Sequence, residues 1–262
     1  MSVLFVSMLY DLYPHERSVG ALPVGQGVGF SQRDIRFRLH HFAQLAACAI
    51  DLVLFVDPAL VGDLPPLSSR VQVIPLALTE IAQYQRLLSG SSEASLPPHR
   101  NVMKDTADYL CLMNSKNELV ERASQQFPSF SHYAWIDANI FKVCEEPMTA
   151  RRQLQRISEQ RGGDQIIIPM GQYPAMRPEY GLTTALVWWR FLGGLWICPR
   201  ALLDLFNQAF VAVIEECAAA GKLTWEVNAY ARVEMQHPEW FAGFLAEHNQ
   251  SMLDIPHAPV VS

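Results

Sequence analysis

The segment His132-Tyr133-Ala134-Trp135-Ile136-Asp137-Ala138-Asn139 decides how the rest of the chain is interpreted. Its first five residues predict a short strand that is buried on both faces, as strands of parallel sheets are. The strand runs directly into a carboxylate and, two residues later, an amide. Polar residues at the carboxyl ends of such strands face the crevice in which α/β proteins bind ligands. Asp137 and Asn139 therefore mark the first candidate site.

Short apolar runs of the same character lie on both sides of this segment. They cover residues 3–8, 51–56, 71–76 and 165–169. Helical periodicity separates or follows them over residues 33–49, 79–88, 105–125, 148–160, 199–220 and 226–236. This alternation predicts an α/β fold with a central mixed, mostly parallel sheet flanked by helices, formed as a single domain over residues 1–262.

Three stretches do not fit this alternation. Residues 89–101 are rich in Ser and Pro and predict a surface loop that could act as a mobile lid. Residues 183–197 are apolar but interrupted by two glycines, which predicts two strands or one bent strand beside a ligand. Residues 248–262 show no convincing period.

Composition limits the classes of function. Half of the 262 residues are hydrophobic, enough for a large core, and the net charge of −6 argues against general binding to nucleic acid or to an anionic membrane. A local basic pocket for phosphate stays compatible with that charge. The five cysteines are widely spaced without a CxxC pair, and the apolar amino terminus lacks a basic leader. We therefore expect a soluble, cytoplasmic protein without a transmembrane segment.

Asp137 and Asn139 form a DxD-like pattern that could hold Mn²⁺ or Mg²⁺ against a diphosphate, because these ions select oxygen ligands. His248 could complete such a metal site from the far end of the chain. The alternative is local: Asp137 caps the next turn, and Asn139 supplies a left-handed turn residue.

A second group of candidates follows the first predicted strand. Tyr10 could stack on a base, Asp11 could accept hydrogen bonds from its polar edge, and Arg17 could bind phosphate. The glycine-rich segment 25–29 lies too far from that strand, and lacks the final glycine, for a dinucleotide site. The chain also lacks the GxSxG, HExxH and P-loop motifs, which argues against serine hydrolases, zincins and P-loop kinases.

The remaining candidates come from three later segments. Lys116 could balance phosphate charge, and Asn114 could hydrogen-bond a base, a ribose or a sugar hydroxyl. Gly193 and Gly194 would allow a sugar or a backbone segment to approach closely. Glu226 could act as a general base, although a Glu in the first turn of a helix also suits the helix dipole without any function.

Five segments together give the chain a resemblance to a known family. They are LYD at 9–11, LCLMNSKNELVERA at 110–123, HYAWIDANI at 132–140, GGLWI at 193–197 and LTWEVNAYARV at 223–233. In this order they resemble the HtrL/YibB family of bacterial proteins, which is related to glycosyltransferases of the GT-A type.

The resemblance implies a GT-A-like, Rossmann-like fold, in which one sheet binds a nucleotide sugar and an acidic motif after a central strand helps to hold its diphosphate. Residues 1–145 would form the nucleotide-binding half and residues 146–262 the acceptor-side half. Asp137 matches the acidic position. Asn139 stands where a full DxD motif has a second Asp, and the segment around Glu226 is less acidic than in the family, so metal dependence and the base are the open points.

The sequence thus leads to three hypotheses. The first is a glycosyltransferase that moves a sugar from a nucleotide diphosphate sugar to a hydroxyl group of a glycan or lipid-linked acceptor. The second is a non-catalytic protein of the same fold that binds a nucleotide or glycan, motivated by Asn139. The third is a nucleotidyltransferase, which would release pyrophosphate from a nucleoside triphosphate.

Overall fold

The computed structural model describes residues 2–13, 34–159, 163–176 and 184–256. Its strands are β1 (Val3–Leu9), β2 (Asp51–Val56), β3 (Val71–Pro75), β4 (His132–Ile136), β5 (Ile166–Met170), β6 (Leu195–Pro199) and β7 (Phe241–Leu245). Its helices are α1 (Ile35–Ala46), α2 (Ala82–Ser89), α3 (Ala107–Met113), α4 (Lys116–Gln126), α5 (Pro147–Glu159), α6 (Arg200–Ala219) and α7 (Glu226–Gln236). The predicted α/β class is therefore confirmed.

All described strands join one seven-stranded sheet in the order β3-β2-β1-β4-β6-β5-β7. The pairs from β3 to β4 are parallel, β6 runs antiparallel to both of its neighbours, and β5 pairs with β7 in parallel. The sheet is thus mixed and mostly parallel, as the sequence predicts.

The alternating side chains of β1 show how the layers form. Leu4, Val6 and Met8 enter one hydrophobic core, and Val3, Phe5 and Leu9 enter the other, because successive side chains of a strand point to opposite faces. Helices α2, α3, α4, α6 and α7 contribute to the first core, and α1 and α5 to the second. Helices therefore cover both faces of the sheet, which explains the continuous apolar character of its central strands.

The strand order places a ligand-binding crevice between β1 and β4. From β1 the chain builds outward through β2 to β3 and then returns to the other side of β1 to form β4. In open α/β sheets this reversal opens a crevice at the carboxyl ends of the two central strands. Tyr10 follows β1 and Asp137 follows β4 at that edge, and both line the same cavity, as predicted.

The antiparallel direction of β6 brings the glycine pair to the same place. Since β6 runs opposite to β4, its first residue pairs with the last residue of β4, Leu195 with Ile136. Gly194 precedes β6 directly, and its carbonyl accepts a 2.9 Å hydrogen bond from the backbone N–H of Asp137.

Several element predictions need correction. The helix predicted over 105–125 is two helices, α3 and α4, because Asn114 and Ser115 interrupt it. The apolar run 183–197 contains the start of a single strand, β6, and its described part from residue 184 to 194 is irregular apart from one bridge between Met170 and Phe191. Strand β7 was missed: it is short, it contains Gly243, and it lies at the edge of the sheet.

The predicted lid, residues 89–101, is anchored at its middle. Ser95, Leu96 and Pro97 are buried, and the carbonyl of Ser95 accepts a 2.7 Å hydrogen bond from the backbone N–H of Leu223. Its end reaches the cavity between β1 and β4, where Asn101 is a lining residue. Movement of this loop on ligand binding stays a prediction.

Asn228 of α7 holds the irregular segment that precedes β6. Its Oδ1 accepts from the backbone N–H of Trp188 at 2.6 Å, and its Nδ2 donates to the carbonyl of Leu186 and to Oγ1 of Thr224, both at 2.9 Å. Asn228 is 3% exposed, so water cannot easily replace these bonds.

We expect Asn228→Ala to lower the free energy of unfolding by about 2–3 kcal/mol, since it removes three hydrogen bonds of a buried side chain. Urea denaturation measures the change, with Gln125→Ala at an exposed position of α4 as the comparison. A loss no larger than that of the comparison variant would show that the segment is held by other contacts.

Candidate functional site

The cavity between β1 and β4 has a volume of about 400 Å³. This lies within the range of about 300–1,000 Å³ that is usual for small-molecule sites. Its lining combines apolar and aromatic side chains with a few charged ones. The charged lining residues among the described parts of the chain are Arg38, Lys104, Asp137 and Lys142.

The Asp137 carboxylate is fixed from two directions. Its Oδ1 accepts a 2.9 Å hydrogen bond from the indole N–H of Trp135 and lies 3.2 Å from Nζ of Lys116. These bonds run to the strand and to α4 and not to the following turn, so the alternative that Asp137 is a simple cap is wrong. Asn139 has a φ of −106°, which also excludes the left-handed turn of that alternative.

Lys116 is the most deeply buried charge at the site, with 1% of its surface exposed. Its ammonium donates to Oε1 of Glu226 at 2.8 Å and to the carbonyl of Gly193 at 2.9 Å, besides its contact with Asp137. It also lies 5.3 Å from the ring centroid of Trp135, within the range of a cation–π interaction. The three acceptors of this ammonium, on Asp137, Gly193 and Glu226, thus come from three different segments of the chain.

The interruption between α3 and α4 puts Lys116 in this position. The side chains of Asn114 and Ser115 donate to the carbonyls of Leu110 and Cys111, at 2.8 and 2.9 Å, and close the end of α3. Lys116 then begins α4. A cation at a helix N-terminus is unfavourable because of the helix dipole, so the two carboxylates are needed to stabilise it there.

The charges at the site shift each other's pKa values in opposite directions. Burial alone would raise the pKa of Asp137, but the positive charge of Lys116 lowers it below its ordinary value of 3.8. Burial alone would lower the pKa of Lys116, but Asp137 and Glu226 raise it above 10.5. Both side chains are therefore charged at neutral pH.

Gly193 is required by the close approach of α7. A Cβ atom at this position would lie 2.7 Å from Oε1 of Glu226 and 2.9 Å from Cγ1 of Val227. At Gly194 the same atom would lie 3.3 Å from Cδ1 of Ile140 and 3.7 Å from Oδ2 of Asp137. The glycine pair therefore allows its own backbone, rather than a sugar, to pack against the acidic residues.

Three cavity cations were not found from the sequence. Arg38 lies on α1, where its guanidinium donates to the carbonyl of Tyr10 at 2.9 Å and lies 5.7 Å from the ring centroid of Tyr13. Lys104 lies 4.9 Å from the ring centroid of Tyr109, and Lys142 follows β4 in a short 3₁₀ turn. Each is a single basic residue in a separate segment, so no local pattern marks the three as a group.

Tyrosine side chains, which have an apolar ring and a polar hydroxyl group, form part of the cavity wall. Tyr10, Tyr13 and Tyr109 all line it. The hydroxyl of Tyr10 donates to the carbonyl of Leu76 at 2.9 Å, and that of Tyr13 donates to the carbonyl of Lys104. The rings of Tyr10 and Tyr13 are thus held in place by their own hydroxyl groups, but they are 1% and 3% exposed, so the predicted stacking of a base on Tyr10 is not favoured. A flat ligand could pack against the partly exposed ring of Tyr109.

The other predicted site residues lie around this cavity or apart from it. Asp11 is partly buried beside β1, and its Oδ1 accepts from the backbone N–H of Tyr13 at 3.3 Å. Arg17 and the glycine-rich segment 25–29 lie outside the described residues. Asn114 and Glu226 do not line the cavity. Asn114 donates to the carbonyl of Thr224 at 2.8 Å, and Glu226 accepts a hydrogen bond from Lys116. Their predicted roles in substrate binding and catalysis stay predictions.

The described residues fit a divalent cation poorly. Asp137 is the single carboxylate among the described lining residues, and its Oδ1 is already shared between Lys116 and Trp135. His248 is not a lining residue, and its ring stacks edgewise on Trp189 at 5.8 Å. In the described ranges no group of three or more potential His, Cys, Asp or Glu ligands is present. The predicted use of Mn²⁺ or Mg²⁺ is therefore not favoured by this donor set.

The fold and cavity define an α/β protein with a ligand-sized crevice at the reversal point of a mixed sheet. A scan against models of known protein families gives no match, and a search of curated proteins gives no significant match. The resemblance to the HtrL/YibB family thus stays a prediction from the motifs. Among the described helices, none is both long and apolar enough to cross a membrane.

We expect Lys116→Met to lower the free energy of unfolding by about 3–5 kcal/mol, because it leaves two carboxylates together without their shared cation. Adding Glu226→Gln to this variant should recover part of the loss, since it removes one of the uncompensated charges. Chemical denaturation at neutral pH gives both values. Equal stability of Lys116→Met and of the surface variant Lys222→Met would contradict the importance of the charge cluster.

The lowered pKa of Asp137 predicts a pH-dependent contribution to stability. A carboxylate whose pKa is lower in the folded than in the unfolded state stabilises the fold fully above its ordinary pKa, and this is lost as the pH falls through the folded-state value. The stability difference between the parent protein and Asp137→Asn should therefore stay constant from about pH 7 to about pH 5 and shrink as the pH falls further toward about pH 2. Urea denaturation across this range tests it, and a constant difference would count against the Lys116 contact.

Proposed function

We propose that the protein is a glycosyltransferase, which moves a sugar from a nucleotide diphosphate sugar to a hydroxyl group of a glycan or lipid-linked acceptor. The observation that carries the proposal is the cavity itself, at the reversal point of the sheet, where three cations, one fixed carboxylate and a set of tyrosine rings meet. A nucleotide diphosphate sugar presents a complementary set of groups: a flat base, an anionic diphosphate and a polyhydroxyl sugar. We also propose the GT-A type of this fold, supported by an acidic residue directly after a central strand.

The cations would supply the main electrostatic effect of the reaction. When the sugar is transferred, the bond to its anomeric carbon breaks and negative charge builds up on the nucleoside diphosphate leaving group. Positive groups that are already in place at such a charge lower the barrier without having to reorganise. Arg38 is held at the cavity by its hydrogen bond to the carbonyl of Tyr10, Lys142 lines the same cavity, and we assign both this role.

Asp137 would act on the donor sugar or its ribose. Its Oδ1 is used by Trp135 and Lys116, while its backbone is anchored to Gly194 by a 2.9 Å hydrogen bond. The carboxylate therefore has a fixed direction, and its side chain retains 31% exposure toward the cavity. Such a group can accept hydrogen bonds from hydroxyls of the bound donor and align the anomeric carbon.

One observation favours the second hypothesis, a binding protein without turnover. Glu226, the predicted base, is 7% exposed and is bound to Lys116. Asp137 is thus the single carboxylate among the described lining residues that could take the proton of an acceptor hydroxyl. A protein that only binds the donor would need no such base.

Release of products separates the hypotheses. The purified protein is incubated, with Mn²⁺ or with a chelator, with a panel of nucleotide diphosphate sugars and candidate glycan acceptors. Separate reactions contain nucleoside triphosphates and sugar phosphates. A glycosyltransferase releases nucleoside diphosphate, a nucleotidyltransferase releases pyrophosphate only from nucleoside triphosphates with a sugar phosphate, and a binding protein releases neither. Binding of a donor without release under any condition would overturn the proposed transfer.

We expect Asp137→Asn to reduce single-turnover transfer by about 10²-fold or more, the size typical of a lost transition-state electrostatic contact. Asp63→Asn, at an exposed position in a 3₁₀ turn, is the matched control and should transfer at the parental rate. Melting temperatures are measured on the same preparations. A destabilised Asp137→Asn protein that still transfers at the parental rate would return Asp137 to a purely structural role.

A further inference from the structure

The charges that line the cavity are unbalanced in favour of cations. Three basic side chains and one carboxylate are found among its described lining residues, although the whole chain carries a net charge of −6. One carboxylate does not balance three cations, and Asp137, Glu226 and Lys116 together carry only one net negative charge. A cavity that concentrates charge opposite to that of the whole protein is expected to bind a ligand of the opposite sign.

Two of the three cations form no direct ion pair within the described parts of the chain, although Asp137 attracts both at longer range. Arg38 donates to a backbone carbonyl, that of Tyr10, and Lys142 forms no ion pair there. Lys104 has only a distant contact, 3.7 Å, with Asp105. The side chains of Lys104 and Lys142 are exposed and that of Arg38 is partly buried, and all three line the same cavity.

The cations also affect each other. Desolvation lowers the pKa of Lys142, and the charges of Lys104 and Arg38 lower it further, against the opposite effect of Asp137. Lys104 and Arg38 therefore repel Lys142, while Asp137 attracts it. An anion bound among them would relieve this repulsion and would be stabilised by all three.

We infer that Arg38, Lys104 and Lys142 form a diphosphate-binding site that works without a divalent cation. The inference deepens the proposed function, on which it rests, by naming the groups that hold the diphosphate of the donor. The guanidinium of Arg38 provides several donors in a fixed plane for two phosphate oxygens, and the two lysines add positive charges from two other segments that line the cavity. Their three charges take the place that a metal ion holds in sites rich in carboxylates.

The role of Asp137 distinguishes this site from a metal site. If a divalent ion linked Asp137 to the diphosphate, neutralising the carboxylate would weaken diphosphate binding. If the cations bind the diphosphate directly, the carboxylate opposes the ligand, and its neutralisation leaves binding unchanged or strengthens it. The two arrangements therefore predict opposite effects of one isosteric substitution.

The test is calorimetric titration of the full chain with inorganic pyrophosphate, in EDTA and in Mn²⁺, at two salt concentrations. We expect binding in EDTA that is not strengthened more than about threefold by Mn²⁺ and that weakens as salt increases. Lys142→Gln and Arg38→Gln should each weaken it about tenfold or more, whereas Lys222→Gln, an exposed control, should bind as the parent does. Asp137→Asn should bind pyrophosphate in EDTA at least as tightly as the parent.

Three outcomes would overturn the inference: no binding in EDTA, parental affinity of both Lys142→Gln and Arg38→Gln, or loss of binding in Asp137→Asn when its fold is intact by circular dichroism. Lys142 is exposed at the cavity wall, so its variant keeps the test valid if Arg38→Gln fails to fold. The donor-release assay separates this result from the proposed function. If pyrophosphate binds without metal and no nucleoside diphosphate is released from any donor, the diphosphate site is supported and the transferase activity is contradicted. If binding requires Mn²⁺ and nucleoside diphosphate is released, the transferase is supported and the metal-free site is contradicted.

Discussion

The contact of Lys116 with two carboxylates is the interaction on which the site depends. It joins the start of α4 to Asp137 after β4, to Glu226 at the start of α7, and to the carbonyl of Gly193 before β6. A buried ion pair is weak evidence of stability by itself, because desolvation offsets much of the attraction, but removal of one partner is costly. The cluster therefore fixes geometry: four segments distant in sequence must meet before the Asp137 carboxylate can face the cavity.

This arrangement also explains how one edge of the sheet carries charges of both signs. Lys116 and Glu226 are buried and do not line the cavity, while Asp137, Arg38, Lys104 and Lys142 do. Tyr10 and Tyr13 also line the cavity, and their hydroxyls are already bonded to the backbone. A ligand thus meets a surface that is organised in advance, which reduces the entropic cost of binding.

The sequence predicted those features that depend on local periodicity, and missed those that depend on tertiary contacts. The apolar run 132–136 and its terminal Asp137 sufficed for a buried strand beside a crevice, because burial on both faces leaves a readable pattern. Lys116 was predicted to balance phosphate charge, yet its partners are Asp137 and Glu226, which only the antiparallel β6 and the helix α7 bring near it. Arg38 and Lys142 carry no local signal, since their convergence follows from the order of the strands. The edge strand β7 was missed because five residues with a central glycine resemble a loop.

The central claim is that the crevice between β1 and β4 holds the diphosphate of a nucleotide sugar on protein cations. A crystal structure of the protein with the nucleoside diphosphate that it binds most tightly, grown in the presence of a chelator, tests this most directly. The account predicts phosphate oxygens within hydrogen-bonding distance of Arg38 and Lys142, with the base against the ring of Tyr109. A diphosphate bound elsewhere, or held only after a metal ion is added at Asp137, would contradict it.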